Sequence, residues 1–142
     1  MSLKAELHAS AAETATGNGT AKPLVYRRGD AGFLYGEVVF ELDVTNADTD
    51  VADKLDVFVQ TKVGLQWIDV VHFTQISGTD SAMTFIAKIV SGVAETMYEL
   101  ASALAAGAER NIIGPEFRVR WVIVDDTTPT FTFSVNVIGN AR

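Results

Sequence analysis

The chain carries few residues that could do chemistry. Its only histidines are His8, near the start, and His72, inside an apolar stretch. Catalysis by a nucleophile needs a base beside it, and acid–base catalysis needs a positioned proton carrier. A lone histidine in a strand is more often a hydrogen-bonded structural residue, and no Gly-x-Ser-x-Gly, His-Glu-x-x-His or phosphate-loop pattern is present. We therefore predict that the protein is not an enzyme and uses no cofactor.

An acidic stretch has the composition of a calcium site, because closely spaced oxygen ligands are what Ca²⁺ requires. Its oxygen-bearing side chains are Asp43, Asn46, Asp48, Asp50, Asp53 and Asp56. An EF-hand loop starting at Asn46 would place Val51 where glycine is required and Val57 where glutamate is required, so that match fails. Two interpretations stay open, a looser calcium site in a loop and a solvated acidic loop.

Two other features point to binding. Arg28-Gly29-Asp30 spells a cell-attachment tripeptide, but three residues are a weak motif and Gly-Asp is ordinary in turns. Tyr26, Tyr35 and Trp67 could form an aromatic surface on which sugars stack. A carbohydrate-binding or receptor-binding module therefore stays open as an alternative.

Composition excludes several classes of protein. The 142 residues suit one domain, and 48% hydrophobic content is enough for a core. A net charge of −7 argues against a nucleic-acid partner, since phosphate binding needs clustered Lys and Arg. There is no cysteine, which excludes disulfides. No apolar run long enough to span a membrane occurs, and we expect no export by a signal peptide.

The clearest structural signal is FRVRWVIVDDTTPTFTFSVNV, residues 117–137. Apolar and polar residues alternate in both halves, which is the period of a strand with one buried face. The predicted inward residues are Phe117, Val119, Trp121, Ile123, Phe131, Phe133, Val135 and Val137. The segment DDTTP between the halves has turn composition. We predict an antiparallel hairpin.

Alternation elsewhere predicts further strands. A strand is expected over residues 37–45, a hairpin over 54–76 and another strand over 83–90. The phase of the second arm of that hairpin is inconsistent, which a β-bulge would explain. Residues 93–106 break the pattern, because Val93, Met97 and Leu104 follow a helical spacing in an Ala-rich segment.

These elements predict the fold class. We expect an all-β protein, an antiparallel β-sandwich with one inserted α-helix near residues 93–106. Six strong and two weak strands are compatible with a jelly roll. We expect residues 1–9 to be a flexible segment and residues 10–142 to form a single domain.

Apolar residues on strand faces that should be exposed to solvent indicate an assembly surface. Val122 and Val124 share a face with Arg118 and Arg120 in the predicted hairpin. Neighbouring exposed apolar residues suggest a subunit interface. We therefore predict a homo-oligomer and choose these four residues as the candidate assembly surface.

Three segments are similar in order and wording to small structural proteins encoded beside the head genes of tailed bacteriophages and prophages. They are SAAETATGNGTAK, LDVTNADTDVADKLDVFVQTKVGLQWIDVVHFTQ and FRVRWVIVDDTTPTFTFSVNVIG. The resemblance covers residues 10–76 and 115–139. The chain departs from the pattern at 91–113, which is longer than the expected connection.

The resemblance implies a decoration or cement protein on the outside of a viral capsid. Its partner would be the major capsid protein, and copies would cluster as a homo-oligomer, with a trimer favoured. The expected location is the capsid surface of the virion, after synthesis in the host cytoplasm. A tail or baseplate component is a further alternative.

Overall fold

The computed structural model describes residues 2–23, 26–28, 31–33, 36–47, 50–90, 100, 102–124 and 129–140. Thirteen strands lie within these ranges: β1 (Ser2–Glu13), β2 (Gly17–Asn18), β3 (Lys22–Pro23), β4 (Tyr26–Arg28), β5 (Ala31–Phe33), β6 (Glu37–Asn46), β7 (Lys54–Val63), β8 (Gln66–His72), β9 (Ile76–Ser77), β10 (Met83–Val90), β11 (Ala108–Glu109), β12 (Glu116–Val124) and β13 (Phe131–Asn140). These residues include no helix long and apolar enough to cross a membrane.

The strands form two main antiparallel sheets. One has four strands in the order β1-β13-β6-β10, and the other runs β11-β8-β7-β12-β2, with β3 on β12 and β9 on β7. β4 and β5 pair separately. The inward residues of both sheets join one hydrophobic cluster, so the sheets pack in a sandwich-like arrangement. The prediction of an all-β, antiparallel fold is confirmed.

Strict alternation builds this core. In β6 and β12 every second residue is buried, and its neighbours are at least partly exposed. All eight inward residues predicted for the segment 117–137 are buried. Each large apolar side chain contributes about 1.5–3 kcal/mol when it leaves water. The core is therefore formed by the residues that the period of two selects.

The predicted hairpin over residues 117–137 is wrong. β12 pairs with β7, β2 and β3 in one sheet, whereas β13 pairs with β1 and β6 in the other. Alternation shows which residues face the core, but a strand pair within one sheet and two strands facing each other across a core have the same pattern. Residues 125–128, which connect the two arms, lie outside the described part of the chain.

The predicted hairpin over residues 54–76 is confirmed for β7 and β8. Gly64 turns the chain with φ of 61°, a region that favours glycine. The register shifts after Val59 pairs with Val71, so Val70 is the extra residue of a bulge. Across the bulge, the alternation of inward and outward side chains in β8 shifts by one residue. This shift explains why apolar and polar residues alternate inconsistently in this part of the sequence.

The inserted helix predicted near residues 93–106 is not seen. Residues 93–99 and 101 lie outside the described residues, while residue 100 and residues 102–106 form no helix. Gly107 has φ of 77°, and its N–H donates to the carbonyl of His72 at 2.8 Å. Pairing with β8 continues through Ala108–Glu109, so contacts with the sheet edge override the helical spacing at this end.

Residues 2–9, predicted as a flexible segment, form the first part of β1. They pair with β13 along the edge of the four-stranded sheet. Leu7 is buried in the core. The apolar contribution of this segment was hidden in the sequence, because two register shifts in β1 interrupt its period of two.

Candidate functional site

The outer face of the seven-stranded sheet carries three cations, Lys62, Arg118 and Arg120, that each lie over an aromatic ring. Its members point away from the core on β7, β8 and β12, as the pairing register requires. We call this surface the arginine face. It consists of Phe58, Gln60, Lys62, Trp67, Asp69, His72, Arg118, Arg120, Val122 and Val124.

Asp69 is the centre of the polar network on the arginine face. Its Oδ2 accepts a hydrogen bond from an Nη of Arg120 at 2.9 Å, and its Oδ1 accepts one from Arg120 Nε at 3.3 Å. Gln60 Nε2 also donates to Oδ1, at 2.9 Å. In a bidentate guanidinium–carboxylate pair, the two hydrogen bonds fix the orientation of the arginine side chain, and the carboxylate balances its charge. Arg120 is therefore compensated and held in place by Asp69.

Arg118 is held in a different way. Its Nε donates to Gln60 Oε1 at 2.8 Å, and its guanidinium lies 4.4 Å from the centroid of the Trp67 ring. No carboxylate of a described residue lies within ion-pair distance of it. Burial, followed by the like charge of Arg120, lowers the pKa of Arg118 from its ordinary value. Arginine stays charged in proteins, so Arg118 is a positioned cation whose charge is incompletely compensated.

Phe58 lies in a stack between two polar side chains. The guanidinium of Arg120 is 3.8 Å from its ring centroid, and the imidazole of His72 stacks on it at 3.9 Å with 23° between the planes. Phe58 is 8% exposed. These two neighbours therefore cover the ring on the outer face of the sheet.

His72 is engaged at both ring nitrogens. Its Nδ1 donates to the carbonyl of Leu104 at 2.7 Å, since a carbonyl can only accept. Its Nε2 lies 2.8 Å from Asp56 Oδ1, and Gln75 donates to the other oxygen of that carboxylate. Together with the stack on Phe58, these contacts give His72 a structural role in joining residues 102–106 to the sheet.

Arg110 fastens the same segment to the edge of the sheet. Its backbone N–H donates to the carbonyl of Val70 at 2.8 Å, next to β11. Its guanidinium donates to the carbonyls of Asp69 and Ser102 at 3.2 and 3.0 Å. The bulged part of β8 is thereby covered, and the open part of the arginine face lies toward Trp67 and β12.

The four predicted assembly residues lie on one face of β12. Arg118 and Arg120 belong to the network above, Val122 is half-buried, and Val124 is 53% exposed. Gln60, Trp67 and Asp69, which complete the surface, were missed. The bulge at Val70 reverses the phase of β8, so no simple alternation could assign Trp67, Asp69 and His72 to the same face.

The acidic stretch does not converge in the described residues. Asp43 accepts from Thr84 at 3.2 Å, Asp50 accepts from the N–H of Ala52, and Asp56 bonds His72. Asp48 lies outside the described residues. Within the described ranges, no group of three or more His, Asp or Glu side chains comes together to hold a metal ion.

Of the three aromatic residues suggested as a surface for sugar stacking, only Trp67 has a described side chain. Trp67 is half-buried, with Arg118 over its ring and Lys62 Nζ 5.8 Å from its centroid. Tyr35, Gly29 and Asp30 lie outside the described residues, and only the backbone of Tyr26 is described. The indole therefore already has cationic partners.

A cavity of about 370 Å³ lies between β1 and the edge of the seven-stranded sheet that is formed by β2 and β3. His8 lines it, with ring centroids 4.8 Å from Trp121 and 5.0 Å from Phe133. Its Nε2 is buried without a hydrogen bond, although Glu13 Oε1 lies 3.4 Å away. Burial lowers the pKa of His8, and the charge of Glu13 opposes this only in part. The ring therefore acts as a core side chain that joins the two sheets.

Comparison with known protein families and with curated proteins gave no match to this sequence.

Proposed function

We propose that the protein is a non-enzymatic structural component of a virus particle, which decorates and stabilises a capsid by binding through the arginine face. The observation that carries this proposal is Arg118, a positioned guanidinium whose charge is only partly compensated, because no carboxylate of the described residues lies within ion-pair distance of it. Arginine and tryptophan are also the residues that dominate the energetics of protein interfaces.

The arginine face suits a partner that supplies carboxylates. Gln60 and Trp67 fix Arg118 before any partner arrives, so little side-chain entropy is lost on binding. A carboxylate from the partner would accept charge-assisted hydrogen bonds from the guanidinium of Arg118. Val124, exposed on the same strand, adds apolar area to the contact. The partner in this proposal is the major capsid protein.

Stabilisation would come from area buried across junctions between capsid subunits. The decorating protein must then be rigid and must present the same surface in every copy. The arginine face, which is built on three paired strands, meets that need, because the side chains are positioned by the sheet rather than by loops. The whole chain has a net charge of −7, which keeps free copies soluble.

Clustering of copies and the jelly-roll form of the sandwich belong to the same proposal. The resemblance of the sequence to phage head-associated proteins favours a trimer for the copies bound to the capsid surface. A sugar-binding role is less well supported, because cations already lie over the Trp67 ring. A tail location would use the same surface on a different viral protein.

The proposal is tested by sedimenting the purified protein with empty capsids of a tailed phage whose head genes adjoin its gene. We expect the protein to pellet with shells that lack it and to reach saturation at a fixed ratio to the capsid protein. Binding to a panel of glycans, with no binding to shells, would contradict the proposal.

A further inference from the structure

β10 is an open edge of the four-stranded sheet. It pairs with β6 on one side, and no described strand pairs with its other side. Its register with β6 is unbroken over all eight residues, whereas two register shifts interrupt β1 at the opposite edge. Bulges protect an edge from pairing, while a long regular edge is a template for another strand.

The backbone groups that face this edge can be assigned. The N–H of Val90 donates to Asn111 Oδ1 at 2.9 Å and so points away from β6. In an antiparallel strand the N–H and C=O of one residue point to the same side, and the side alternates from residue to residue. Thr84, Ile86 and Lys88 therefore direct their donors and acceptors to the open edge.

The side chains of β10 are incompletely covered. Ile86 is 64% exposed on the outer face, and Phe85 and Ala87 are only half-buried on the inner face. Phe85 and Ala87 line a cavity of about 390 Å³, together with the end of β8 and residues 107–109. Within the described part of the chain, the core is thus not closed along this edge.

We propose that β10 pairs with β10 of a second copy of this chain, antiparallel across a two-fold axis at Ile86. Ile86 then lies opposite Ile86 of the second copy, and Thr84 lies opposite Lys88. All three edge-facing N–H groups of each copy meet carbonyls of the other. The two four-stranded sheets become one continuous sheet.

This register is the one that the strand favours. An axis at Ala87 would place Thr84 opposite Val90, whose N–H already donates to Asn111. A shift of one residue would set outward side chains against inward ones. The axis at Ile86 avoids both and places the large Phe85 beside the small Ala87, with two exposed isoleucines in contact.

Charge complementarity points to a second copy as the occupant. The outer face of the four-stranded sheet carries Glu41 and Asp43 on β6, and Asp43 accepts a hydrogen bond from Thr84. In its own chain Lys88 Nζ lies 3.8 Å from Glu37 Oε2, a long and exposed ion pair of little strength. Lys88 of the second copy would lie opposite Thr84 and bring its ammonium toward Asp43. The same contact occurs twice, as a two-fold axis requires. The pairing does not rest on the proposed function, since it needs no capsid.

Cross-linking tests the register directly. The chain has no cysteine, so Ile86→Cys introduces a single thiol. Hydrogen-bonded partners in antiparallel strands have Cα atoms about 5.5 Å apart, within the range that a disulfide spans. We expect mild oxidation to convert this variant to a covalent dimer, and the control Ser134→Cys, on β13 inside the sheet, to stay uncross-linked. Failure of Ile86→Cys to cross-link, or equal cross-linking of both variants, would overturn the proposal.

Mass in solution provides the second test. Light scattering should give a dimer for the wild-type chain. Ile86→Lys should give a monomer at the same concentration, because it places two like charges at the axis while the exposed position leaves the fold intact. Leu65→Lys, the same substitution at a turn residue that is 90% exposed, should stay dimeric. A wild-type monomer, a trimer, or an Ile86→Lys dimer would contradict the pairing.

Discussion

Trp121 meets Phe133 edge-on across the core, with ring centroids 5.8 Å apart and 74° between the planes. The two residues belong to different sheets, so this contact joins them near the side where β1 closes the core. The indole Nε1 also donates to the carbonyl of Ala15 at 2.8 Å. Trp121 is thus tied to both sheets and to the turn after β1.

We expect Trp121→Ala to lower the free energy of unfolding by about 3–5 kcal/mol, the usual cost of emptying a large aromatic site. Urea denaturation followed by circular dichroism measures this loss. Trp67→Ala is the matched control and should cost clearly less, because Trp67 is half-buried on the outer face. Equal losses would show that Trp121 does not join the sheets as described.

Stability should fall when the pH drops below about 6.5, the ordinary pKa of histidine, because His8 is buried between aromatic rings. Its pKa is lowered in the folded state, chiefly by burial. The unfolded chain therefore binds a proton first, and folding loses free energy between the unfolded and folded pKa values, at up to about 1.4 kcal/mol per pH unit.

The measurement compares denaturation midpoints at pH 7.5 and 5.5 for the wild-type chain and for His8→Gln. The glutamine variant cannot titrate at this position, so its midpoint should depend less on pH. Carboxylates titrate in both proteins and cancel in the comparison. Identical pH dependence would mean that His8 is not responsible.

Asp69→Asn should destabilise the protein by about 1–2 kcal/mol, because it removes a charged acceptor of the hydrogen bonds from Gln60 and Arg120. The figure is modest because the side chains of Arg120 and Asp69 keep 28% and 21% of their exposure. Glu109→Gln makes the same change at an exposed residue and should leave thermal stability nearly unchanged. A negligible effect of Asp69→Asn would show that this network does not stabilise the folded protein.

Gly64→Ala should cost about 1 kcal/mol, since φ of 61° is unfavourable for a residue with a Cβ. Apart from its two chain neighbours, no residue has an atom within 4 Å of the added methyl group, so the variant measures backbone strain. Leu65→Ala, in the same turn, serves as the control and should be nearly neutral at 90% exposure. A stabilised Gly64→Ala variant would contradict this description of the turn.

The sequence predicts the core better than the topology. Alternation identified Phe117, Trp121 and Phe133 as inward, because side-chain period is a local property of a strand. The same pattern could not tell that β12 and β13 lie in different sheets, since that depends on pairing with distant strands. The predicted helix failed near Leu104 because hydrogen bonds to the edge of β8 decide the backbone there.

The candidate site was predicted in part for the same reason. Arg118 and Arg120 could be placed on one face, since β12 is regular. Their partners Gln60 and Asp69 come from two other strands, and the bulge at Val70 hides the phase of one of them. The sequence alone does not give the register between neighbouring strands, which is defined only by their pairing in the folded chain.

The central claim, that the arginine face binds a capsid, is tested most directly by comparing variants in co-sedimentation with undecorated shells. Arg118→Ala removes the incompletely compensated cation, and Val124→Glu adds a negative charge on the same strand. Thr45→Glu adds the same charge at an exposed position of β6 in the other sheet. We predict that Arg118→Ala and Val124→Glu each weaken binding at least about tenfold, or about 1.4 kcal/mol, and that Thr45→Glu binds as the wild-type chain does. Wild-type binding by Arg118→Ala and Val124→Glu, or an equal loss in Thr45→Glu, would contradict the claim.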